Sequence, residues 1–263
     1  MGTDKRFDGK CAIITGGAGF IGSRIACQLA RDGCDVVICD TETEKAAALA
    51  DDLKGFGIDA MALAIDVKNS NSARMAVSKT IESYKKIDYL ICAAGGSTRD
   101  KMCYFMDQKE EVIMDNIGVN FFGVINFAHA VAAHMAKNRN GSMLFITSIV
   151  GIQGSRGCAE YGAAKGGVIT FAKTLAMEMG EFGMRVNCVS PGLVERGSKD
   201  VSDTNYLGRN CTGEDVANVV TFLLSDEAGF VTGQNYVVDG GKSLGSQSGI
   251  KPGRDSFLGK AGC

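Results

Sequence analysis

Tyr161 and Lys165, four positions apart in AEYGAAKGG, are the side chains whose spacing says most about chemistry. They fall inside a helical pattern, and that spacing sets both on one helix face. A free phenol, with a pKa of about 10, is too reluctant to ionise to act as a base at neutral pH. A neighbouring ammonium favours the phenolate and lowers that pKa. The pair can then exchange a proton with an alcohol or ketone oxygen. Ser148 lies thirteen positions earlier, where the apolar run SMLFIT ends. A hydroxyl at the carboxyl end of a strand can hold a substrate oxygen as charge builds on it. Plainer readings exist for each part. YxxxK is common on surface helices, and a serine after a strand often opens a turn.

A second constellation lies near the amino terminus. TGGAGFIG, residues 15–22, follows an apolar strand pattern and opens a helical one. Gly16, Gly19 and Gly22 let the backbone turn tightly, and the N–H groups of a helix start, here including Phe20 and Ile21, can meet a pyrophosphate. A lone glycine triplet is weak evidence; a strand before it and a helix after it make it a dinucleotide fingerprint. Asp40 ends the next strand pattern, eighteen positions beyond Gly22. That is close to the spacing of about 20 at which a carboxylate bonds adenosine ribose hydroxyls and repels a 2′-phosphate. Thr41 follows it, and the glycine loop holds no basic residue, so NAD is favoured over NADP; Arg24, just past the loop, is the one basic neighbour. The positive ring of the oxidised cofactor would further favour the Tyr161 phenolate.

These residues need elements to hold them. Short apolar runs at 11–15, 35–39, 60–66, 87–93, 142–147, 185–189 and 236–239 alternate with helical patterns near 20–32, 42–56, 70–84, 106–137, 160–182 and 213–225. Continuous apolar strands alternating with helices predict an α/β, Rossmann-type doubly wound parallel sheet of about seven strands, with helices on both faces. The 263 residues suit one such domain, and 45% hydrophobic and 22% charged residues are ordinary for a globular protein. A net charge of −2 gives no field that would recruit nucleic acid or an anionic membrane. Cys11, Cys39, Cys92 and Cys188 fall in the strand patterns, where cysteine acts as a small hydrophobe, and no CxxC or zinc spacing occurs, so no metal site is expected. Reduced thiols and a polar start, MGTDKRFDGK, predict a cytoplasmic protein without a signal peptide. No apolar run reads as long enough to span a bilayer. Residues 242–263 are rich in Gly, Ser and Lys, and are expected to be a tail, either disordered or held at a subunit interface.

Taken in order, the motifs resemble the short-chain dehydrogenase/reductase family in its compact single-domain form, over roughly residues 8–241. The likeness rests on TGGAGFIG, Asp40, Asp66-Val67, AAG at 93–95, Asn120 in VNFFG, Ser148, Tyr161 with Lys165, Pro191-Gly192 in VNCVSPG and TGQNYVVDGG at 232–241. It implies a catalytic set of Asn120, Ser148, Tyr161 and Lys165. In that set Tyr161 exchanges the proton and Ser148 holds the substrate oxygen. Lys165 lowers the Tyr161 pKa and binds the nicotinamide ribose, and Asn120 positions a water between Lys165 and solvent. Asp66 and Val67 would face the adenine, Ala94 and Gly95 would line the cofactor, and the Pro191-Gly192 to Val194 backbone would meet the carboxamide. Three positions depart from the family pattern: Phe20 where its middle glycine is usual, Cys92-Ala93 where two asparagines are usual, and Arg196 where a threonine commonly meets the carboxamide.

The resemblance implies an NAD-dependent enzyme interconverting a secondary alcohol and a ketone. A lid is expected near 193–212, short and polar, with Arg196, Lys199 and Arg209. It reads as a solvated loop or as the cover of a polar substrate such as a polyol, sugar or hydroxy acid. Met102, Tyr104, Phe105 and Met106 could instead line an apolar pocket, which keeps a hydroxysteroid as the alternative. A non-catalytic NAD sensor is the alternative of another class, and the complete acid–base set argues against it. The apolar helical stretches 106–137 and 160–182 exceed what one sheet face covers, and the family's members pair there, so a dimer or tetramer is expected.

Overall fold

The computed structural model describes residues 5–96, 102–195 and 200–245. Seven strands form one sheet: β1 (Cys11–Thr15), β2 (Asp35–Asp40), β3 (Ala60–Ala64), β4 (Tyr89–Cys92), β5 (Ser142–Ile146), β6 (Arg185–Pro191) and β7 (Asn235–Val238). Their spatial order is β3-β2-β1-β4-β5-β6-β7, and every neighbouring pair is parallel. The order reverses between β1 and β4, the switch point at which such sheets open a crevice.

The helices are α1 (Phe20–Arg31), α2 (Thr43–Lys54), α3 (Ser70–Tyr84), α4 (Glu110–Ile117), α5 (Gly123–Asn138), α6 (Val150–Gln153), α7 (Ala159–Gly180) and α8 (Gly213–Leu224). Strand side chains alternate between faces. Ala12 and Ile14 of β1 therefore join a core with Leu29 of α1, Leu53 of α2 and Val220 of α8. Cys11 and Ile13 join the opposite core with Val77 of α3, Phe127 of α5 and Val168 of α7. Both faces are covered, which is why the strands read as continuous apolar runs.

Three readings of the sequence need correction here. The stretch expected as one helix over 106–137 is broken: a 3-10 turn at Phe105–Asp107 precedes α4, and a π-helical turn, Gly118–Phe122, separates α4 from α5. Periodicity cannot register one extra residue in a wide turn. The same stretch, Glu110–Asn138, is 29 residues long with hydropathy 1.3, so one helical run is long and apolar enough to cross a membrane by length and composition. Its Val124, Phe127, Val131 and Met135 are buried against the sheet. The expected tail boundary at 242 also moves. Lys242–Leu244 form a 3-10 turn against the body of the fold, while 246–263 lie outside the described residues.

Candidate active site

At the carboxyl edge of the sheet lies a cleft of about 600 Å3. The glycine turn, Asp40, Ser148, Tyr161, Lys165 and Pro191 to Val194 all contribute to its walls. The first wall is the turn from β1 into α1. Gly16 N–H donates to Cys39 O at 2.8 Å, and Gly19 N–H to Gly16 O at 3.0 Å. A Cβ on Gly22 would stand 2.2 Å from Gly16 O, so only glycine lets the helix start so close to the turn. Gly19 caps α1 with no side-chain hydrogen bond, which leaves first-turn N–H groups for an anion. The cradle fits a dinucleotide pyrophosphate. Phe20 does not fill it. Its ring packs toward α8, close to Gly213 and under the Arg24 guanidinium at 5.9 Å, so the loop keeps its backbone on the cleft.

Asp40 ends β2 with its carboxylate fixed: Ala18 N–H and Glu42 N–H donate to it, each at 3.0 Å. It borders both the main cleft and an adjoining groove of about 210 Å3 that includes Asp66 and Val67. The expected adenine contacts are therefore together, on the far side of Asp40. Arg24 is pinned away from them by Glu214 at 2.9 Å. Ala94 is not part of the lining. It packs behind Gly16, and its N–H donates to Thr15 Oγ1 at 3.3 Å. Thr15 thus supplies bracing where Cys92 and Ala93 replace two amides: Ala93 N–H also donates to Thr15 O at 3.0 Å.

Across the cleft stand the chemical groups. Ser148 follows β5, and its Oγ accepts from Val150 N–H at 3.2 Å. Its hydroxyl proton has no partner among the described residues and can be donated into the cleft. Thr147, beneath it, shares a buried hydroxyl contact of 2.7 Å with Ser190 of β6, which fixes the end of β5. Tyr161 and Lys165 lie on one face of α7, both buried. Lys165 Nζ donates to Ile146 O at 2.9 Å and lies 5.8 Å from the centre of the Tyr161 ring. Burial pushes its ammonium down to about 8, while the Cys92 and Cys188 thiols oppose that shift. Asn120 comes from the π turn. Its Nδ2 donates to Asn116 O at 3.0 Å, and its Oδ1 accepts from Gly96 N–H at 3.1 Å. Gly95, at φ +124°, makes room for this. A Cβ there would stand 2.3 Å from Asn120 Oδ1 and 3.6 Å from Lys165 Nζ.

The lid expectation is altered. Arg196 and Lys199 lie outside the described residues. Val194 bridges Cys211, and Asn205 ties the intervening turn through Arg209 O at 2.8 Å. Arg209 is held by both oxygens of Asp215 at 2.7 and 2.8 Å and is not part of the main lining. Met102 is in the lining, whereas Tyr104, Phe105 and Met106 are exposed. Sequence reasoning missed Lys242, Gln153, Ser155 and Cys158, all in the cleft wall. Lys242 had a signal: it comes just after β7, at a strand's carboxyl end, where such folds place ligands.

A family profile described as enoyl-(acyl carrier protein) reductase matches residues 17–243. The 3-oxoacyl-[acyl-carrier-protein] reductase FabG of Chlamydia pneumoniae is 36% identical over 242 residues, covering 89% of this chain and 96% of that protein. Its namesake from Thermotoga maritima is 36% identical over 245 residues, covering 90% and 98%. The fold also matches an NAD+-bound xylitol dehydrogenase crystal structure, with a TM-score of 0.85 at 24% identity over 89% of this chain and 99% of that one. The matched lengths and the ordered motifs lead to one conclusion: this chain belongs to the short-chain dehydrogenase/reductase family of nicotinamide-dependent oxidoreductases.

Proposed function

We propose that the protein is an NAD(H)-dependent enzyme that interconverts a secondary alcohol and a ketone. The observation that carries this reading is the convergence of Ser148, Tyr161 and Lys165 on one cleft, with Asn120 behind them. A nicotinamide cofactor bound in that cleft supplies or accepts the hydride. Tyr161 gives its phenolic proton to the ketone oxygen during reduction and takes it back during oxidation. Ser148 donates a hydrogen bond to the same oxygen, and that bond strengthens as charge develops. Lys165, whose buried ammonium is pushed down to about 8, would in its charged form stabilise the phenolate, and it is the residue that would hold the nicotinamide ribose. Asn120 holds the turn beside Lys165, where a water can relay the proton to solvent.

NAD is assigned over NADP because the fixed Asp40 carboxylate would repel a 2′-phosphate, and Arg24, the nearby cation, is engaged by Glu214. A polar substrate such as a polyol, sugar or hydroxy acid is favoured over a steroid by Gln153, Ser155 and Lys242 in the wall. The curated relatives favour a second reading, reduction of a 3-oxoacyl thioester. We also propose a cytoplasmic location, a reading supported by strand cysteines that serve as buried hydrophobes.

The test is a kinetic panel of polyols, hydroxy acids, a hydroxysteroid and a 3-oxoacyl thioester, each with both cofactors. The expected result is turnover of a polar alcohol with NAD preferred, relaxed toward NADP in Asp40→Ala. Equal or better turnover with NADP in the unaltered protein overturns the cofactor assignment. Tyr161→Phe should still bind NADH and lose roughly 10²–10⁴-fold in turnover. Activity within about tenfold of the unaltered enzyme would assign the proton to another group.

A further inference from the structure

We infer that Lys242 is a specificity-determining residue that takes the carboxylate of a hydroxy-acid or oxo-acid substrate; the inference rests on the alcohol–ketone chemistry proposed above and narrows its substrate class. Lys242 shares the cleft wall with Ser148 and Tyr161, yet no step of the proton transfer uses it. At the far side of the cleft, Asp40 borders the groove of Asp66 and Val67. Lys242 instead borders, with Leu193, a separate cavity of about 290 Å3 under the lid turn. The cation is thus shared by the main cleft and this cavity, and is not part of the groove of Asp66 and Val67.

Asp215 and Asp239 line the same smaller cavity, but neither pairs with Lys242. Lys242 is half-buried, and among the described residues its Nζ donates only to Thr204 O, at 3.3 Å. Among the described residues no carboxylate comes within ion-pair distance of it. The adjacent acid, Asp239, is engaged elsewhere: its oxygens accept from Gly241 N–H at 2.8 Å and Ser243 N–H at 2.7 Å. Those two bonds fold the turn after β7 and fix where Lys242 leaves the backbone. Lys165, the other cation in the cleft, is committed to Ile146 O beside Tyr161. Arg209 is committed to Asp215. An ammonium with one carbonyl contact keeps donors for a ligand, and a substrate carboxylate supplies the charge-assisted partner it lacks. A thioester or a methyl ester does not.

The experiment compares short hydroxy acids and the corresponding oxo acids with their methyl esters, in the unaltered enzyme and in Lys242→Met, Lys242→Gln and Lys242→Arg. The expected result is a preference for acid over ester in kcat/KM of roughly ten- to hundredfold. That preference should disappear in the Met and Gln variants and persist in Arg. No preference in the unaltered enzyme, a preference that survives Lys242→Met, or a loss confined to the KM for NAD overturns the inference. A binding arm separates this from failure of the proposed activity. Calorimetry on the NADH-loaded Tyr161→Phe protein, with and without Lys242→Met, reads acid and ester affinity without turnover. Acid bound tightly only when Lys242 is present supports the inference even if no alcohol in the panel is oxidised. Equal binding, or none, in both proteins overturns it.

Discussion

At the scale of single residues, Lys165 shows how function opposes stability. Its ammonium is buried against Ile146 O and pushed from 10.5 down to about 8. In the window between those two values the unfolded chain holds a proton that the folded chain lacks, so stability rises with pH across it. Below about 8 the folded protein carries the full cost of the buried charge, on the order of 3 kcal/mol before the lost Ile146 hydrogen bond is set against it. Lys165→Met should therefore unfold at a higher temperature than the unaltered apo-protein at neutral pH, while losing activity. The gap should narrow as pH is raised through 8 toward 10.5, as followed by thermal denaturation at several pH values. A variant less stable at neutral pH would show that the carbonyl bond outweighs the desolvation. The Tyr161–Lys165 pair was legible from spacing alone, because the helical repeat sets both on one face. The depth of Lys165's burial was not, because its side chain is enclosed only when α7 packs on the sheet and its Nζ reaches Ile146 O at the end of β5.

At the scale of elements, the lid and α8 are one unit. Thr212 caps α8 in a reciprocal box: its Oγ1 accepts from Asp215 N–H at 3.2 Å, and Asp215 Oδ2 accepts from Thr212 N–H at 2.8 Å. Arg209 closes the same carboxylate and holds its pKa down to about 2, against a smaller upward push from burial. Thr212→Ala should lower stability by about 1 kcal/mol in urea denaturation. Arg209→Gln should leave the substrate constants in place, since its guanidinium serves the cap and not the cleft. A raised KM for an acid substrate in that variant would return Arg209 to the site. Strand and helix order could be read because apolar runs and helical periods alternate cleanly. The π turn and the four-residue α6 could not, since neither gives a period long enough to register. Both matter for the site, as Asn120 and the turn after Ser148 sit on them.

For the whole molecule, the surface of Glu110–Asn138 bears on assembly. Phe127, Val131 and Met135 face the sheet, while Met114 and Phe122 are exposed at 60% and 50%. We propose that a second copy covers that face, giving a dimer and, through a further contact, a homotetramer. Light scattering at micromolar concentration should report an oligomer, and Phe122→Glu should shift it to smaller species. A lone monomer at that concentration refutes the proposal. The sequence pointed to this face through its excess of apolar residues, but only the packing separates the covered residues from the bare ones.

The all-parallel sheet sets the schedule on which the site can exist. No two neighbouring strands form a hairpin, so each pairing must close a long crossover. Where β4 settles beside β1, Cys11 N–H donates to Asp88, a residue 77 positions along the chain. Of the cleft-lining residues, Gly16 and Asp40 come from before that closure, and Ser148, Tyr161 and Lys242 from well after it. Local contacts alone cannot assemble the cleft. The enzyme must complete its slow, non-local steps before it can turn over once, so regained activity marks the end of refolding and no intermediate stage of it.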